Sequence, residues 1–171
     1  MKKIILYIAA SLDGYIARPD GAIDWLPIDQ DYGYPQFLES ISTVILGRKT
    51  YEQVLAFGEY PYLNQHNVIL THRSDISLPP NAEVWSDVSA ERISSLREKS
   101  EKDIWLVGGS EVIRPFLELN AIDRLIVSIC PILIGEGIPL FLPNSLQSRL
   151  KLANSQTFDS GLVQLTYDFI R

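Results

Sequence analysis

Five short apolar segments recur along the chain, and they constrain its fold more than any other feature. They are rich in Ile, Val and Leu, none alternates apolar with polar residues, and they span residues 4–10, 43–47, 67–71, 104–107 and 124–129. Strands that are apolar on both faces belong to sheets covered on both sides, which are usually parallel sheets with crossover helices. The pattern therefore predicts an α/β fold built around a mostly parallel sheet.

Helical patterns lie between these segments, at residues 34–41, 50–55 and 89–100 and after Gly109. Ser89 is a good N-cap for the helix at 89–100. Pro115 is expected to bend or shorten the helix that follows Gly109, because proline disrupts a helix interior. The last segment, 161–171, alternates apolar with polar residues, which predicts an antiparallel strand near the edge of the sheet.

Composition narrows the class of protein. The 171 residues fit a single domain, residues 1–171, and the net charge of −6 argues against nucleic acid as a partner, because phosphate binding needs a basic face. The single cysteine, Cys130, excludes an internal disulfide and a multi-cysteine zinc site, so no metal is predicted. Its apolar neighbours indicate a buried core thiol.

The first ten residues resemble a signal peptide, with two lysines before an apolar stretch. That stretch has only about seven residues, at the lower limit for a signal peptide, so it is interpreted as the first strand. No segment approaches the roughly 20 apolar residues of a membrane helix. We therefore expect a cytoplasmic protein without membrane contacts.

Residues suited to binding phosphate follow several of the predicted strands. Gly108 and Gly109 end one strand and precede a helix, so bare backbone N–H groups and a helix N-terminus are available to an anion. The remaining strand ends carry small residues, cations and hydroxyl groups, in the segments Ala9-Ala10-Ser11, Gly47-Arg48-Lys49-Thr50 and Thr71-His72-Arg73. Because carboxyl ends of parallel strands share one edge of a sheet, this set predicts a site for a multi-phosphate ligand.

The combination resembles the dihydrofolate reductase-like fold, and within it the reductase domain of riboflavin biosynthesis, the RibD C-terminal type. The motifs that carry the resemblance are Ala9-Ala10-Ser11-Leu12-Asp13-Gly14-Tyr15-Ile16-Ala17, Gly47-Arg48-Lys49-Thr50-Tyr51, Val68-Ile69-Leu70-Thr71, Val107-Gly108-Gly109-Ser110 and Leu133-Ile134-Gly135-Glu136-Gly137. The resemblance implies a three-layer α/β fold, with a mostly parallel eight-stranded sheet, an antiparallel C-terminal edge and helices on both faces. A single cysteine cannot supply the zinc deaminase domain that usually accompanies this reductase, so a standalone member is expected.

By motif matching, the resemblance also implies an NADPH site. Ala10 and Ile16 would hold the nicotinamide amide through their backbones, and the residues assigned to the adenosine end, the 2′-phosphate and the pyrophosphate are Gly47, Arg48, Lys49, Thr50, Thr71, His72, Arg73, Val107, Gly108, Gly109, Ser110, Glu111 and Val112. Arg48 and Arg73 are the cations that would distinguish NADPH from NADH.

On the substrate side, Asp29 matches the catalytic carboxylate of the family and Ser128 the hydroxyl that supports it. A carboxylate at that place would hydrogen-bond an aminopyrimidine and support protonation of its ring. Ser11, Asp13 and Trp25 complete the expected substrate-binding set. The alternative interpretation of Asp29 is a solvated loop acid.

Two departures from the family count against folate as the substrate. Asp31 occupies the position of an aromatic ring, and Gln65 that of the arginine which binds the folate tail carboxylate. The first hypothesis is therefore an NADPH-dependent oxidoreductase that reduces a small pteridine or pyrimidine. A dihydrofolate reductase and a non-catalytic NADP(H)-binding module are the alternatives. Apolar residues 130–135 could support a homodimer.

Overall fold

The computed structural model describes residues 1–143 and 145–171, which form ten β-strands and four α-helices. The main sheet contains β1 (Ile4–Ser11), β3 (Ile41–Gly47), β4 (His66–Leu70), β5 (Ala82–Trp85), β6 (Asp103–Gly108), β7 (Arg124–Cys130), β9 (Arg149–Thr157) and β10 (Val163–Ile170). Two short strands, β2 (Tyr15–Ala17) and β8 (Ile138–Pro139), pair with each other outside it. The helices are α1 (Tyr34–Glu39), α2 (Arg48–Ala56), α3 (Ala90–Lys99) and α4 (Ser110–Glu118).

The eight strands of the main sheet have the order β5-β4-β3-β6-β1-β7-β10-β9. Strands β1 and β3 to β7 are parallel, whereas β10 runs antiparallel to both β7 and β9. The predicted fold, a mostly parallel eight-stranded sheet with an antiparallel C-terminal side, is therefore confirmed. After β5 the chain returns to place β6 between β3 and β1. Ligands of open α/β sheets bind at the carboxyl ends of strands where the order reverses in this way.

Successive side chains of β1 point to opposite faces of the sheet, and they pack in two hydrophobic clusters, one on each face. Ile4 lies fully buried in the cluster that contains Phe116 and the apolar side chains of α3 and α4. Ile5 belongs to the opposite cluster, where Trp105 and Tyr51 pack with the rings of α1. Helices thus cover both faces of the central strands, which is why those strands are apolar throughout.

Each of the five predicted core strands and all four helices are present, with ends shifted by one or two residues. The Ser89 hydroxyl caps α3 as expected, accepting the Arg92 N–H at 3.3 Å. Helix α2 begins at Arg48, two residues earlier than the pattern indicates. Pro115 lies inside α4, which has nine residues and ends three residues after the proline.

Strand β9 is not predicted by the sequence pattern, and it occupies the edge of the sheet. All nine of its residues are exposed, so it lacks the apolar run by which the other strands are identified. The predicted C-terminal strand is β10, which lies one strand in from that edge. Within residues 1–143 and 145–171, no helix combines the length and the apolar character needed to cross a membrane.

Candidate functional site

The main sheet opens between β1 and β6 toward the carboxyl ends of both strands. Pairing of β1 with β6 ends at Leu6 and Leu106, whereas pairing of β1 with β7 continues to Ser11. Just beyond the last pair, the Tyr7 carbonyl accepts a hydrogen bond from the Trp105 indole at 2.9 Å. This gap in strand pairing, the crevice, lies beside the last residues of β1, where Ala9 and Ala10 carry no large side chain.

Two helices begin at glycines at this edge of the sheet. Gly47 precedes α2 and Gly109 precedes α4, and neither helix has a side-chain cap, in contrast to α3 with Ser89. An uncapped helix leaves the N–H groups of its first turn without partners, and its dipole adds about half a positive charge there. Because β3 and β6 are neighbours, both N-termini lie at the same edge, which makes the edge suitable for an anion such as a phosphate.

The glycines of the two turns allow close contacts. A Cβ atom on Gly47 would lie 2.8 Å from Cγ2 of Val112, and one on Gly109 would lie 3.5 Å from Cδ1 of Ile16. Gly108 has a φ of +111°, a conformation that favours glycine, and its peptide bond to Gly109 is cis. The structure thus brings together five of the residues predicted to bind the cofactor.

Short strands β2 and β8 border the glycine turn. The Ser110 hydroxyl, at the start of α4, donates a hydrogen bond to the Pro139 carbonyl of β8. In β2, the side chain of Ile16 lies beside Gly109. At Gly137, the Ala17 carbonyl oxygen lies so close that a Cβ atom would not fit. These contacts fix the two loops that close one side of the crevice.

Asp13 links the loop after β1 to the loop before β8 by hydrogen bonds. Its carboxylate accepts hydrogen bonds from the Ser11 hydroxyl at 2.6 Å, from the Gly135 N–H at 2.8 Å and from the Ile134 N–H at 3.2 Å. These bonds, that of Ser11 above all, lower the pKa of Asp13. Ser11 is fully buried, and its oxygen also accepts the N–H of Tyr15. Ser11 and Asp13, two of the four residues predicted to bind substrate, are therefore engaged in loop contacts in this structure.

The two arginines predicted to bind phosphate, Arg48 and Arg73, each form an ion pair. Arg48 contacts Glu52 one turn further along α2, at 2.8 Å, and Arg73 contacts Asp75 at 2.7 Å. The pKa of Asp75 is lowered, chiefly by its hydrogen bonds with Arg73 and to a smaller degree by the charge of Arg48. The two pairs follow β3 and β4, which are neighbouring parallel strands, so both lie at the same edge of the sheet.

The other residues predicted for the cofactor surround the same edge. Thr71 accepts the Arg73 N–H through its hydroxyl at 3.1 Å, which shapes the loop after β4. The remaining side chains are exposed or half-buried and lie next to the strand ends, namely Lys49, Thr50, His72, Val107 and Glu111.

Asp29 and Ser128 have different hydrogen-bond partners. The Asp29 carboxylate accepts a hydrogen bond from the Tyr32 hydroxyl, which lowers the pKa of Asp29. The Tyr32 hydroxyl also contacts the Ser160 hydroxyl at 2.8 Å. Ser128 instead accepts a hydrogen bond from the Gln164 amide at 3.1 Å. The side chains of Asp29 and Ser128 therefore belong to two separate hydrogen-bond networks, and no direct hydrogen bond joins them.

Sequence analysis missed three residues of this region: Tyr7, Tyr32 and Gln164. Burial raises the pKa of Tyr7, whose hydroxyl lies beside Gln164. Gln164 lies opposite Ser128 in the antiparallel β7–β10 pair, and no local sequence motif predicts this pairing. The Tyr32–Ser160 contact joins residues 128 positions apart. The register of β10 against β7 is the signal that would have identified Gln164, whereas Tyr32 contacts Ser160 through loops that no local pattern joins.

Two buried polar atoms in the described residues have no hydrogen-bond partner: the Trp25 indole nitrogen and the Gln65 side-chain oxygen. Gln65 is only 9% exposed, and its backbone carbonyl is held by the Asn67 amide at 2.8 Å. A buried donor or acceptor without a hydrogen-bond partner lowers the stability of the folded protein. A hydrogen bond to a bound molecule would remove this penalty. Trp25 was predicted to contact the substrate.

The chain is similar to curated proteins over most of its length. It is 34% identical over 177 residues to the "uncharacterized protein YyaP" of Bacillus subtilis (strain 168), which covers 97% of this chain and 94% of that protein. It is 33% identical over 116 residues to the dihydrofolate reductase HdrB of Haloferax volcanii, covering 64% of this chain and 57% of that protein.

Solved structures with the same architecture agree with this result. The "putative riboflavin biosynthesis protein" of Shewanella sp. PV-4 is 28% identical and superimposes with a TM-score of 0.85, with 100% of both chains covered. The Enterococcus faecalis dihydrofolate reductase, complexed with NADP(H) and RAB-propyl, is 21% identical, with a TM-score of 0.71 and 99% and 97% coverage. That likeness confirms the dihydrofolate reductase-like fold. Residues 2–164 match the model of the RibD C-terminal domain family. The chain belongs to the RibD C-terminal domain family.

Proposed function

We propose that this protein is an NADPH-dependent reductase of a small pteridine or pyrimidine, similar to 5-amino-6-(5-phosphoribosylamino)uracil reductase. The observation that carries the proposal is the pair of uncapped helix N-termini at Gly47 and Gly109, with Arg48 and Arg73 at the same edge of the sheet. Backbone N–H groups and guanidinium groups are the donors that a dinucleotide with three phosphate groups requires.

The residues present fit such a cofactor. Val112 packs against Gly47, which brings the two helix N-termini close together, and Ala9 and Ala10 carry only methyl groups beside the crevice. We assign the pyrophosphate to the turns at Gly47 and Gly109 and the 2′-phosphate to the two arginines. The nicotinamide, when bound, supplies the hydride, and the protein orients and polarises the substrate beside it.

In the substrate half, Asp29 is the acceptor and Trp25 the donor that we assign to the ring. The hydrogen bond from Tyr32 favours the charged form of Asp29, so this carboxylate is ionised at neutral pH. An ionised carboxylate can accept the N–H pair of an aminopyrimidine and stabilise the ring when it becomes protonated. The buried indole N–H of Trp25 would satisfy a ring carbonyl. Ser128 and Gln164 would line the sheet side of this pocket.

A dihydrofolate reductase is the second candidate, and the similarity to the reductase of Haloferax volcanii favours it. Against it stands Gln65, a buried neutral amide in the place where the family has an arginine for the folate tail. A non-catalytic NADP(H)-binding module would have the same phosphate-binding edge but would turn over no substrate.

Calorimetric titration with NADPH and NADH, followed by assays of NADPH oxidation, separates these possibilities. We expect NADPH to bind more tightly, and a ribosylaminopyrimidine or a tail-less pterin to be reduced. Asp29→Asn should lose turnover and keep its NADPH affinity, with Asp20→Asn as a control for the change of charge. Failure of both dinucleotides to bind would contradict the proposal, and binding with no turnover of any pyrimidine or pterin would favour the non-catalytic module.

A further inference from the structure

Three polar side chains from neighbouring strands lie together on the face of the sheet that α1 covers. Gln164 of β10 lies opposite Ser128 of β7, and Ser128 is in turn paired with Ala9 of β1. The Gln164 amide nitrogen, Nε2, donates a hydrogen bond to the Ser128 hydroxyl at 3.1 Å, and the Tyr7 hydroxyl lies beside the same amide. We call Tyr7, Ser128 and Gln164 the amide cluster.

The direction of these contacts determines what the amide cluster offers to a ligand. Nε2 of Gln164 carries two hydrogens, which serve the oxygens of Ser128 and Tyr7. Burial raises the pKa of Tyr7, and the contact with Gln164 acts in the opposite direction, as an N–H donor to the phenol oxygen does. Both hydroxyl groups therefore keep their own hydrogens for an acceptor. Within residues 1–143 and 145–171, the Gln164 carbonyl oxygen, Oε1, makes no hydrogen bond.

Ala9 leaves space for a flat ring beside this cluster. Its side chain lies on the same face as that of Tyr7, because residues two apart in a strand share a face. Ala9 is half-buried although β1 is a central strand, whereas residues 4–6 of the same strand are buried. The Tyr7 ring is fixed by stacking on Phe37 of α1, with the ring centroids 4.2 Å apart and the ring planes at 15°. A ring placed on Ala9 would therefore meet polar groups that are held in position.

We propose that Gln164 is a specificity-determining residue, and that the amide cluster selects a ring with a carbonyl group next to a ring N–H, as in an oxopyrimidine. Oε1 accepts the ring N–H, and the hydroxyl groups of Tyr7 and Ser128 donate to the ring carbonyl. A ring with amino groups in place of carbonyls brings N–H groups toward O–H groups, so part of the pairing is lost. The inference rests on the proposed function and names the substrate class of that site.

Binding of two probes measures this preference without turnover. The probes are diaminouracil, which has ring carbonyl and N–H groups, and tetraaminopyrimidine, in which amino groups replace both carbonyls. Calorimetric titration with and without saturating NADP⁺ gives the ratio of the two affinities, and the unaltered protein should prefer diaminouracil. Gln164→Leu should weaken diaminouracil binding by about tenfold and tetraaminopyrimidine binding by less than about threefold.

Gln164→Glu is the sharper variant, because it changes the hydrogen-bonding pattern and keeps the shape of the side chain. A carboxylate only accepts hydrogen bonds, so the hydroxyl groups of Tyr7 and Ser128 would turn their hydrogens toward it and present their oxygens to the ligand. Titrations above neutral pH keep the new carboxyl group ionised. The affinity ratio should shift toward tetraaminopyrimidine by about tenfold or more. Tyr7→Phe should weaken diaminouracil binding by about two- to fivefold.

Gln156→Leu is the matched control. Gln156 is the residue of β9 that pairs with Gln164, and it is exposed, so the variant removes an equivalent amide one strand further from β1. The ratio of the two affinities should stay within about twofold of that of the unaltered protein. Denaturant unfolding of each variant verifies that it is folded. If Gln164→Leu does not fold, Gln164→Glu and Tyr7→Phe provide the comparison.

The inference is overturned if the unaltered protein binds neither probe or prefers tetraaminopyrimidine, if Gln164→Leu lowers the two affinities equally, or if Gln164→Glu leaves their ratio unchanged. If NADPH does not bind, the proposed function fails, whereas the titrations without dinucleotide still measure recognition of the ring. The two failures are therefore distinguishable.

Discussion

A Cβ atom at residue 47 would lie 2.8 Å from Cγ2 of Val112, so these two residues pack only because position 47 is a glycine. The φ of Gly47 is −72°, which any residue adopts, and its backbone conformation therefore does not require glycine. The contact joins the start of α2 to the first turn of α4, and it brings the two uncapped helix N-termini together. The requirement for glycine comes from packing.

Gly47→Ala should lower the free energy of unfolding by about 1–3 kcal/mol, because the added methyl group overpacks a buried contact. Val112→Ala alone should also destabilise, by about 1–3 kcal/mol, through the loss of buried methyl groups. Since the second change makes room for the first, the double variant should be more stable than the sum of the two predicts, by about 0.5 kcal/mol or more. Denaturant unfolding of the four proteins measures this coupling. Simple additivity would contradict the contact.

Gly109→Ala should leave the fold intact and weaken NADPH binding. Its φ is −80°, and the new methyl group would make an ordinary contact with Ile16 at 3.5 Å. The same methyl group would stand where phosphate approaches the backbone, so we expect a loss of about tenfold in affinity, or about 1.4 kcal/mol. Gly108→Ala is the comparison, since its φ of +111° should cost about 1–3 kcal/mol of stability. An unfolded Gly109→Ala variant would show that this glycine has a structural role.

Asp13 should make stability depend on pH. Its pKa is lowered in the folded state by hydrogen bonds from Ser11, Gly135 and Ile134, so its stabilising effect is present above the unfolded pKa. That effect is lost as pH falls through the lowered folded pKa, below about pH 4. Asp13→Asn should therefore be less stable than the unaltered protein near neutral pH, and the difference should shrink in acid. Unfolding curves between neutral and acidic pH provide the measurement, and a difference that does not change with pH would count against the loop contact.

Cys130 should resist thiol reagents in the folded protein. It is 1% exposed, and burial raises its pKa to about 11, so the thiol is neutral at physiological pH. We expect an aromatic disulfide reagent to react slowly under native conditions and at once in denaturant. Rapid reaction of the native protein would indicate that β7 opens near its carboxyl end.

Dihydrofolate should be a poor substrate even if NADPH binds. Gln65 cannot form the bidentate charged pair that the tail carboxylate requires, a loss of about 2–5 kcal/mol, and this would raise a micromolar Michaelis constant toward millimolar. Asp31 is exposed and uses its carboxylate to accept the Gly33 N–H at 2.9 Å, so it offers no aromatic wall. Steady-state assays with dihydrofolate and a tail-less dihydropterin test the prediction. A low-micromolar constant for dihydrofolate would favour the second candidate function.

The strand–turn–helix elements of the edge to which we assign the phosphates could be predicted from the sequence, because their signals are local. An apolar strand followed by Gly47 or by Gly108 and Gly109 specifies a strand, a turn and a helix N-terminus within about a dozen residues. The contacts around the proposed substrate residues are less local. Asp29 was identified from a motif, but its partners Tyr32 and Ser160 lie in a loop and in a distant hairpin, and Gln164 reaches Ser128 only through the register of β10 against β7.

Burial on both faces demands continuous apolar residues, so the sequence alone indicates which segments form the covered parallel strands. It also indicates where small or charged residues follow them. Only the three-dimensional arrangement shows that β9 forms the sheet edge, that the pairing of β1 with β6 ends at Leu6, and that Gln164 lies beside Ser128. A pattern along the chain indicates whether each segment is buried or exposed. Pairing between polar groups of distant segments depends instead on which segments the packed core brings within hydrogen-bond distance.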